Sequence, residues 1–411
     1  MNFLLFCIKT QFSLLYSAKK QAMQRIFLLI CFILLMIPSY GAQQLSEESK
    51  ISLLTCSPGQ DLYSIYGHSA IRVKDDANGI DHVFNYGTFD FDTPNFYLKF
   101  ANGNLKYMLS SAPFNRFLNS YFHEERSVFE QELNLNQSEK QKLFNAILLN
   151  SKTENRYYRY DFFFDNCATR IRDIIYRNVD GNISYIDTIQ SKQSFRAFIH
   201  EYEKNIPWVK DGLDIILGWG TDDIAEVNEQ MFLPDYLMIY FGKAVINKEG
   251  EETRSLVKEM QPLLRFDNEK DSTLLTPSLV FWILLILGGI LTGYEIKVRK
   301  KPVQFVNRTL FAIVSIVAFL IVFLWFFTRH GVTASNFNIL WANPLFILLA
   351  ILPNKLLIAK SLRIITIIIL VCMLLFAIGW FVIPQQIPAM VFPLVLLLIL
   401  RTGFMYRYIN K

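Results

Sequence analysis

From Thr276 to the C-terminus the chain carries twelve Lys or Arg, a single acid (Glu295) and five apolar stretches. These run roughly over residues 277–294, 310–327, 339–352, 364–382 and 387–400. A run that crosses a bilayer must satisfy its own backbone polar groups, which leaves the helix as its fold. The basic residues sort to alternate loops. Lys297, Arg299, Lys300, Lys301 and Arg308 flank one loop; Lys355, Lys360 and Arg363 flank another; Arg401, Arg407 and Lys411 close the chain. The intervening loops hold Arg329 alone or, at residues 383–388, no charge. This asymmetry predicts five spans, the C-terminus in the cytoplasm and the preceding domain outside. The third and fifth stretches are short for an upright span. No acid or histidine falls within the stretches, apart from His330 at an outer edge, so the groups an ion or proton path needs are missing. The spans read as an anchor that brings the outer domain to lipid.

Residues 43–275 have the opposite balance, thirty-five acids to twenty-five bases. The formal charge of +5 is thus the sum of an acidic domain and a basic membrane region, and implies no nucleic-acid partner. Ahead of this domain, Arg25, the apolar run 26–37, Pro38 and Ser39-Tyr40-Gly41-Ala42 read as a secretory signal, with Met23 as an alternative start. An uncleaved anchor helix is the other reading. The expected division is residues 1–42 as signal or anchor, 43–275 as an exported catalytic domain, 276–402 as a five-helix membrane domain and 403–411 as a cytoplasmic tail.

The exported domain reads as α+β. Residues 69–73 and 83–86 suit strands joined by a hairpin at Asn78-Gly79, and the alternation in SVFEQELNL predicts another strand over 127–135. A helix is expected over 138–149, and a second, capped by Asp165 or Asn166, to about Arg177. The region after Asn182 reads mostly helical.

Of five cysteines, Cys7, Cys31 and Cys372 fall in the N-terminal or membrane segments, leaving Cys56 and Cys167 in the exported domain. In an oxidising compartment such a pair invites a disulfide, which would staple a non-enzymatic receptor domain. The alternative is chemical. Cys167, in YDFFFDNCATRIRD, opens a capped helix whose N–H groups and dipole favour a thiolate, with Arg170 and Arg172 nearby. His68, in YGHSAIRV, heads a strand and follows a glycine. A thiol and an imidazole at such positions form a nucleophile and its base. For the group that orients the imidazole, a six-residue hairpin loop sets Asn85 across from His68. A tighter turn sets Phe89 or Asp90 there, and His82 is a further option. The aromatic run Phe162-Phe163-Phe164 could line an acyl groove or simply be a buried strand. The histidines are scattered, no cysteine pair has ligand spacing, and neither G-x-S-x-G nor a P-loop occurs, so no metal or other cofactor is indicated.

Long strings carry a resemblance beyond these single residues: LLTCSPGQDLYSIYGHSAIRV, FNYGTFDFDTPNFYLKF, RSVFEQELNL, NRYYRYDFFFDNCATRIRD and, more weakly, MFLPDYL. In them the chain resembles the Lnb-type lipoprotein N-acyltransferases, which join an exported domain to five membrane helices. The order of histidine before cysteine is similar to circularly permuted papain-like thiol folds, as in the NlpC/P60 and lecithin:retinol acyltransferase groups. The resemblance implies Cys167 and His68 as the catalytic pair, and centres a matching stretch on Asn85-Tyr86-Gly87. Tyr66, Arg126, Tyr160, Phe164, Asn166 and Arg170 are the expected substrate-binding residues. The implied partners are bacterial lipoproteins and membrane glycerolipids, at the cell (inner) membrane. A cell-wall thiol peptidase or amidase of the NlpC/P60 type is the competing activity.

Overall fold

The computed structural model describes residues 43–186, 192–267, 274–352 and 360–409, together with Met23 and Arg25. Residues 1–44 separate as a unit of their own, and Leu45–Lys411 form the second, described below. The signal or anchor reading, apart from Met23 and Arg25, lies outside the described residues.

Among the described residues of the second unit there are ten strands: β1 (Lys50–Cys56), β2 (His68–Asp75), β3 (Ile80–Thr88), β4 (Lys106–Pro113), β5 (Val128–Leu133), β6 (Tyr157–Arg159), β7 (Asn182–Tyr185), β8 (Ala244–Asn247), β9 (Arg254–Ser255) and β10 (Val257–Leu264). Seven of them form one antiparallel sheet in the order β10-β5-β1-β2-β3-β4-β6. The small sheet β7-β8-β9 stands apart. Among the described residues, the helices of six or more residues before the membrane region are α1 (Phe96–Ala101), α2 (Phe114–His123), α3 (Gln137–Ser151), α4 (Cys167–Asn178), α5 (Phe195–Glu203), α6 (Pro207–Ile216) and α7 (Pro234–Gly242).

The large sheet is buried on both faces at its centre, which explains why β1 (KISLLTC) reads as a near-continuous apolar run. Ile51 and Leu53 of β1 with Ile71 and Val73 of β2 join the core under α3, α4 and α7. Leu54, Cys56, Ala70 and Val83 point the other way, onto Phe117 and Tyr121 of α2. The two-residue period of a strand therefore puts Cys56 and Cys167 in cores on opposite faces of the sheet. Both are free thiols, each packed in a separate core, so the disulfide-stapled receptor is corrected.

The β2–β3 hairpin turns through Asp76–Asn78 and Gly79, where the Asn-Gly pair predicted it. α3 starts one residue earlier than expected, with Asn136 and Glu139 closing a capping box. The mostly helical expectation after Asn182 is corrected in part. That stretch also supplies the small sheet and β10, which pairs with β5 at the sheet edge. β10 was hidden by Pro262 and its charged residues, which an edge strand tolerates.

The membrane region contains α8 (Pro277–Tyr294), α9 (Gln304–Phe326), α10 (Phe346–Ile351), α11 (Lys360–Ile378) and α12 (Val391–Ile409). Among the described residues, four helical segments are long and apolar enough to cross a bilayer: Pro277–Arg299, Gln304–Phe326, Leu362–Phe381 and Val391–Tyr408. The third expected stretch forms a 3-10 turn at Phe337–Leu340 and the six-residue α10, and residues 353–359 lie outside the described residues.

Arg401, counted among the basic residues that close the chain, sits inside α12 and is buried. Its guanidinium donates to both Glu295 oxygens (2.6 and 3.0 Å), to Asn307 Oδ1 and to Thr292 Oγ1 (each 2.8 Å). The pair ties the ends of α8, α9 and α12 together. Removing one partner strands a buried charge, whereas removing both costs much less. Arg401→Met is expected to destabilise the protein by about 3–5 kcal/mol, and adding Glu295→Met to recover most of that loss; thermal unfolding in detergent measures both.

Candidate active site

Asn166 fixes the start of α4. Its Oδ1 accepts from Thr169 N (2.9 Å), and Thr169 Oγ1 accepts from Asn166 N (2.8 Å), a reciprocal capping box. Both amide protons are also used, on Phe162 O (2.7 Å) and Phe232 O (2.8 Å). The FFF turn ahead of it is closed by Asp161, whose Oδ1 accepts from Phe163 N and Phe164 N. Cys167 is then the first helical residue and is buried.

Burial pushes the Cys167 thiol above its ordinary range, and hydrogen bonds from the backbone N–H groups of Ser69, Ala168 and Cys167 itself oppose that rise. Ser69 directly follows His68, so the sulfur lies against the first turn of backbone in β2. Gly67 (φ +80°) lets the entry to β2 pass close to the end of β1: a Cβ there would fall 2.8 Å from Cys56 O.

His68 Nε2 meets Asn85 Oδ1 at 3.2 Å. The amide oxygen only accepts, which places the proton of the neutral ring on Nε2 and leaves Nδ1 with its lone pair. Burial pushes the imidazole down to about 4, against the Asn85 bond and together with the Arg126 guanidinium. At neutral pH Cys167 is therefore a thiol and His68 a neutral imidazole.

The expected geometry around Asn85 differs in register. β2 and β3 pair Ile71 with Phe84 and Asp75 with Ile80, a tighter turn than the six-residue loop assumed. Asn85 therefore lies diagonally from His68 and still reaches it, because two residues along a strand return to the same face. His82 pairs with Val73, and Phe89 and Asp90 lie beyond the end of β3. The β3–β4 ladder shifts between Asn85 and Thr88, around Gly87 (φ +88°). A Cβ on Gly87 would touch Tyr160 Cε2 at 3.6 Å and Cys167 Cβ at 3.7 Å. The bulge thus leaves bare backbone beside the thiol.

Tyr160 flanks this gap and stacks on Tyr107 at 4.4 Å. Tyr66 lies in the residue pair before His68, packs on Phe162 (4.8 Å), and donates its hydroxyl to buried Glu203. Arg126 is buried, donates to Ser57 O (2.8 Å) and Glu124 (2.9 Å), and acts on His68 through its charge. Arg170 binds Asp165 (2.8 Å) and lies 3.5 Å over the Tyr158 ring, so its guanidinium is held within the domain. Asn166 has no amide proton left over. Phe164 is exposed and packs on Phe163 and Phe195. Tyr107 and Gly87 were missed as site residues: Tyr107 sits in an unremarkable strand, and a bulge has no mark of its own in a sequence.

A family model described as the Lnb N-terminal periplasmic domain matches residues 39–201, and one described as the Lnb transmembrane domain matches residues 268–411. The chain belongs to the Lnb family. Its sheet-and-helix domain is accordingly the periplasmic part of an Lnb membrane protein, followed by the transmembrane helices. The same comparisons matched no curated protein and no solved structure.

The sulfur chemistry makes a reactivity order testable. Iodoacetamide should modify Cys167 well before Cys56, whose thiol burial pushes up to about 12. The Cys167 rate should keep climbing with pH above the ordinary thiol range, because burial raises that thiol, as read by peptide mass spectrometry. A rate plateau already present in mild acid would mean a preformed thiolate–imidazolium pair instead.

Proposed function

We propose that this Lnb protein is a lipoprotein N-acyltransferase working through a Cys167 thioester. The observation that carries the reading is a helix-starting thiol against the N–H of Ser69, the residue after His68, whose imidazole is oriented by Asn85, in a domain joined to membrane helices. The arrangement supports a circularly permuted papain-like thiol fold, with residues 43–275 as the catalytic domain.

His68 Nδ1 takes the Cys167 proton as Sγ attacks an ester carbonyl of a glycerolipid, at its sn-2 position. Backbone N–H groups at the start of α4 stabilise the oxyanion. The tetrahedral adduct collapses, the glycerol oxygen leaves with the proton from His68, and the acyl group remains on sulfur as a thioester. The α-amino group of a lipoprotein's S-diacylglyceryl cysteine then attacks the thioester and gives up a proton to His68. Cys167 leaves as the thiolate, is reprotonated, and the lipoprotein carries an amide-linked acyl chain. The donor is a membrane glycerolipid or the lipoprotein's own diacylglyceryl group, which then ends in a lyso form. Apolar rings around the sulfur keep water from the thioester.

The topology we propose has five spans in the inner membrane, 276–402, the 339–352 stretch completing the third. The catalytic domain is on the periplasmic side and residues 403–411 are in the cytoplasm.

Cys167→Ala should abolish lipoprotein N-acylation and leave the protein abundant and membrane-bound. Mass spectrometry of a lipoprotein's N-terminal peptide from cells lacking the gene, complemented by wild type or the variant, reads this directly. Normal N-acylation in the Cys167→Ala strain would refute the assignment.

A further inference from the structure

Residues 89–100 break the usual surface pattern of an exported domain. Phe91, Tyr97, Leu98 and Phe100 each expose more than half of their surface, beside the equally exposed Leu62 and Tyr63. A contiguous apolar patch of this kind marks a surface that meets something other than water. The turn that lifts Phe91 outward is built in, since Asp92 N donates to Asp90 Oδ1 at 2.9 Å.

The patch has a place in the fold. Phe100 O accepts from His330 Nε2 (3.0 Å), and Asn102 O accepts from Arg329 N (3.1 Å). Arg329 and His330 directly follow the candidate span Gln304–Phe326, whose last rings, Phe326 and neighbouring Phe327, are also exposed. The C-terminal end of α1 is thus hydrogen-bonded to the end of a transmembrane helix. That continuity names the occupant: exposed aromatic rings at the end of a span sit at the lipid interface.

The patch also leads inward. Phe89 lies 5.0 Å from Phe91, 5.9 Å from Phe96 and 5.4 Å from Tyr107, between ring centroids. Tyr107 stacks on Tyr160 at 4.4 Å, and Tyr160 borders the Gly87 gap that also touches Cys167. The rings form one continuous apolar line from the exposed surface to the thiol.

We propose that residues 89–100 are an aromatic wedge inserted in the periplasmic leaflet, which takes up a glycerolipid acyl chain and leads it along Phe89, Tyr107 and Tyr160 to Cys167. The wedge itself needs only the lipid interface; its use in acyl delivery rests on the acyl-transfer reading above. The wedge stays in the membrane throughout, so the ester carbonyl reaches the sulfur without the chain leaving an apolar surface.

The full-length protein in phosphatidylethanolamine–phosphatidylglycerol vesicles, with a trace of phosphatidylethanolamine carrying a diazirine in its acyl tail, tests this. After photolysis, peptide mass spectrometry should find tail adducts on residues 91–100 and on Tyr107 or Tyr160, in addition to the spans. The F91S/Y97S/F100S variant changes only exposed rings and should cut the inner adducts at least tenfold. Adducts confined to the spans would overturn the wedge. Adducts on residues 91–100 with none at Tyr107 or Tyr160 would overturn the path. Tail adducts are read without turnover, so the full adduct pattern in a protein that acylates nothing would uphold the lipid path and sink the transfer reading alone.

Discussion

The cap made by Asn166 decides where the sulfur of Cys167 lies. With Thr169 satisfying the helix start and both amide protons on Phe162 and Phe232 carbonyls, the first turn of α4 has one position available. Phe232 belongs to the MFLPDYL stretch, whose Met231, Phe232, Leu233 and Leu237 are all fully buried. Pro234 of the same stretch would lie 3.6 Å from a Cβ on Gly67. One buried pad therefore sets both the thiol-bearing helix and the residue ahead of His68. A shift of about 1 Å in either would cost such a pair much of its chemistry, which makes a rigid seat the first requirement of the site.

The seat is joined to the membrane region by polar contacts as well as by the chain. Asn336 and Asn338 donate to the Ile215 carbonyl at the end of α6, and Gln385 donates to Leu217 O (3.0 Å). Just above these contacts, Arg196 is buried with Asp214 (2.6 Å) and Asp222 (2.9 Å). Glu203, on the same helix as Arg196, takes the Tyr66 hydroxyl, two residues before His68. Buried polar groups of this kind hold geometry when every partner is present. The thiol site and the outer ends of the spans thus belong to one hydrogen-bonded construction, suited to chemistry on a substrate that lies in the membrane.

Local signals in the sequence were read well. The polar Asp-Asn before Cys167 marked a helix start, Asn78-Gly79 marked a hairpin, and apolar runs marked the long membrane helices. What required three dimensions was less visible. Whether Asn85 reaches His68 depends on a turn length and a bulge at Gly87, neither of which leaves a pattern in residue types. Two cysteines in one exported domain suggested a disulfide until strand parity placed them on opposite faces. Arg401 counted only as one of the basic residues closing the chain, because an arginine near a span end looks the same whether it meets water or Glu295. Tyr107 carries no chemical signature and acquires its place only through stacking on Tyr160.

The central claim is that an acyl chain rests on Cys167 during turnover. The direct measurement is intact-protein mass spectrometry of the purified full-length protein, incubated with phospholipid vesicles without a lipoprotein acceptor and quenched in acid. The account predicts a mass increase of one acyl chain that hydroxylamine removes, that maps to Cys167, and that is absent from Cys167→Ala. An unmodified protein, or an adduct that resists hydroxylamine or survives the substitution, would contradict it.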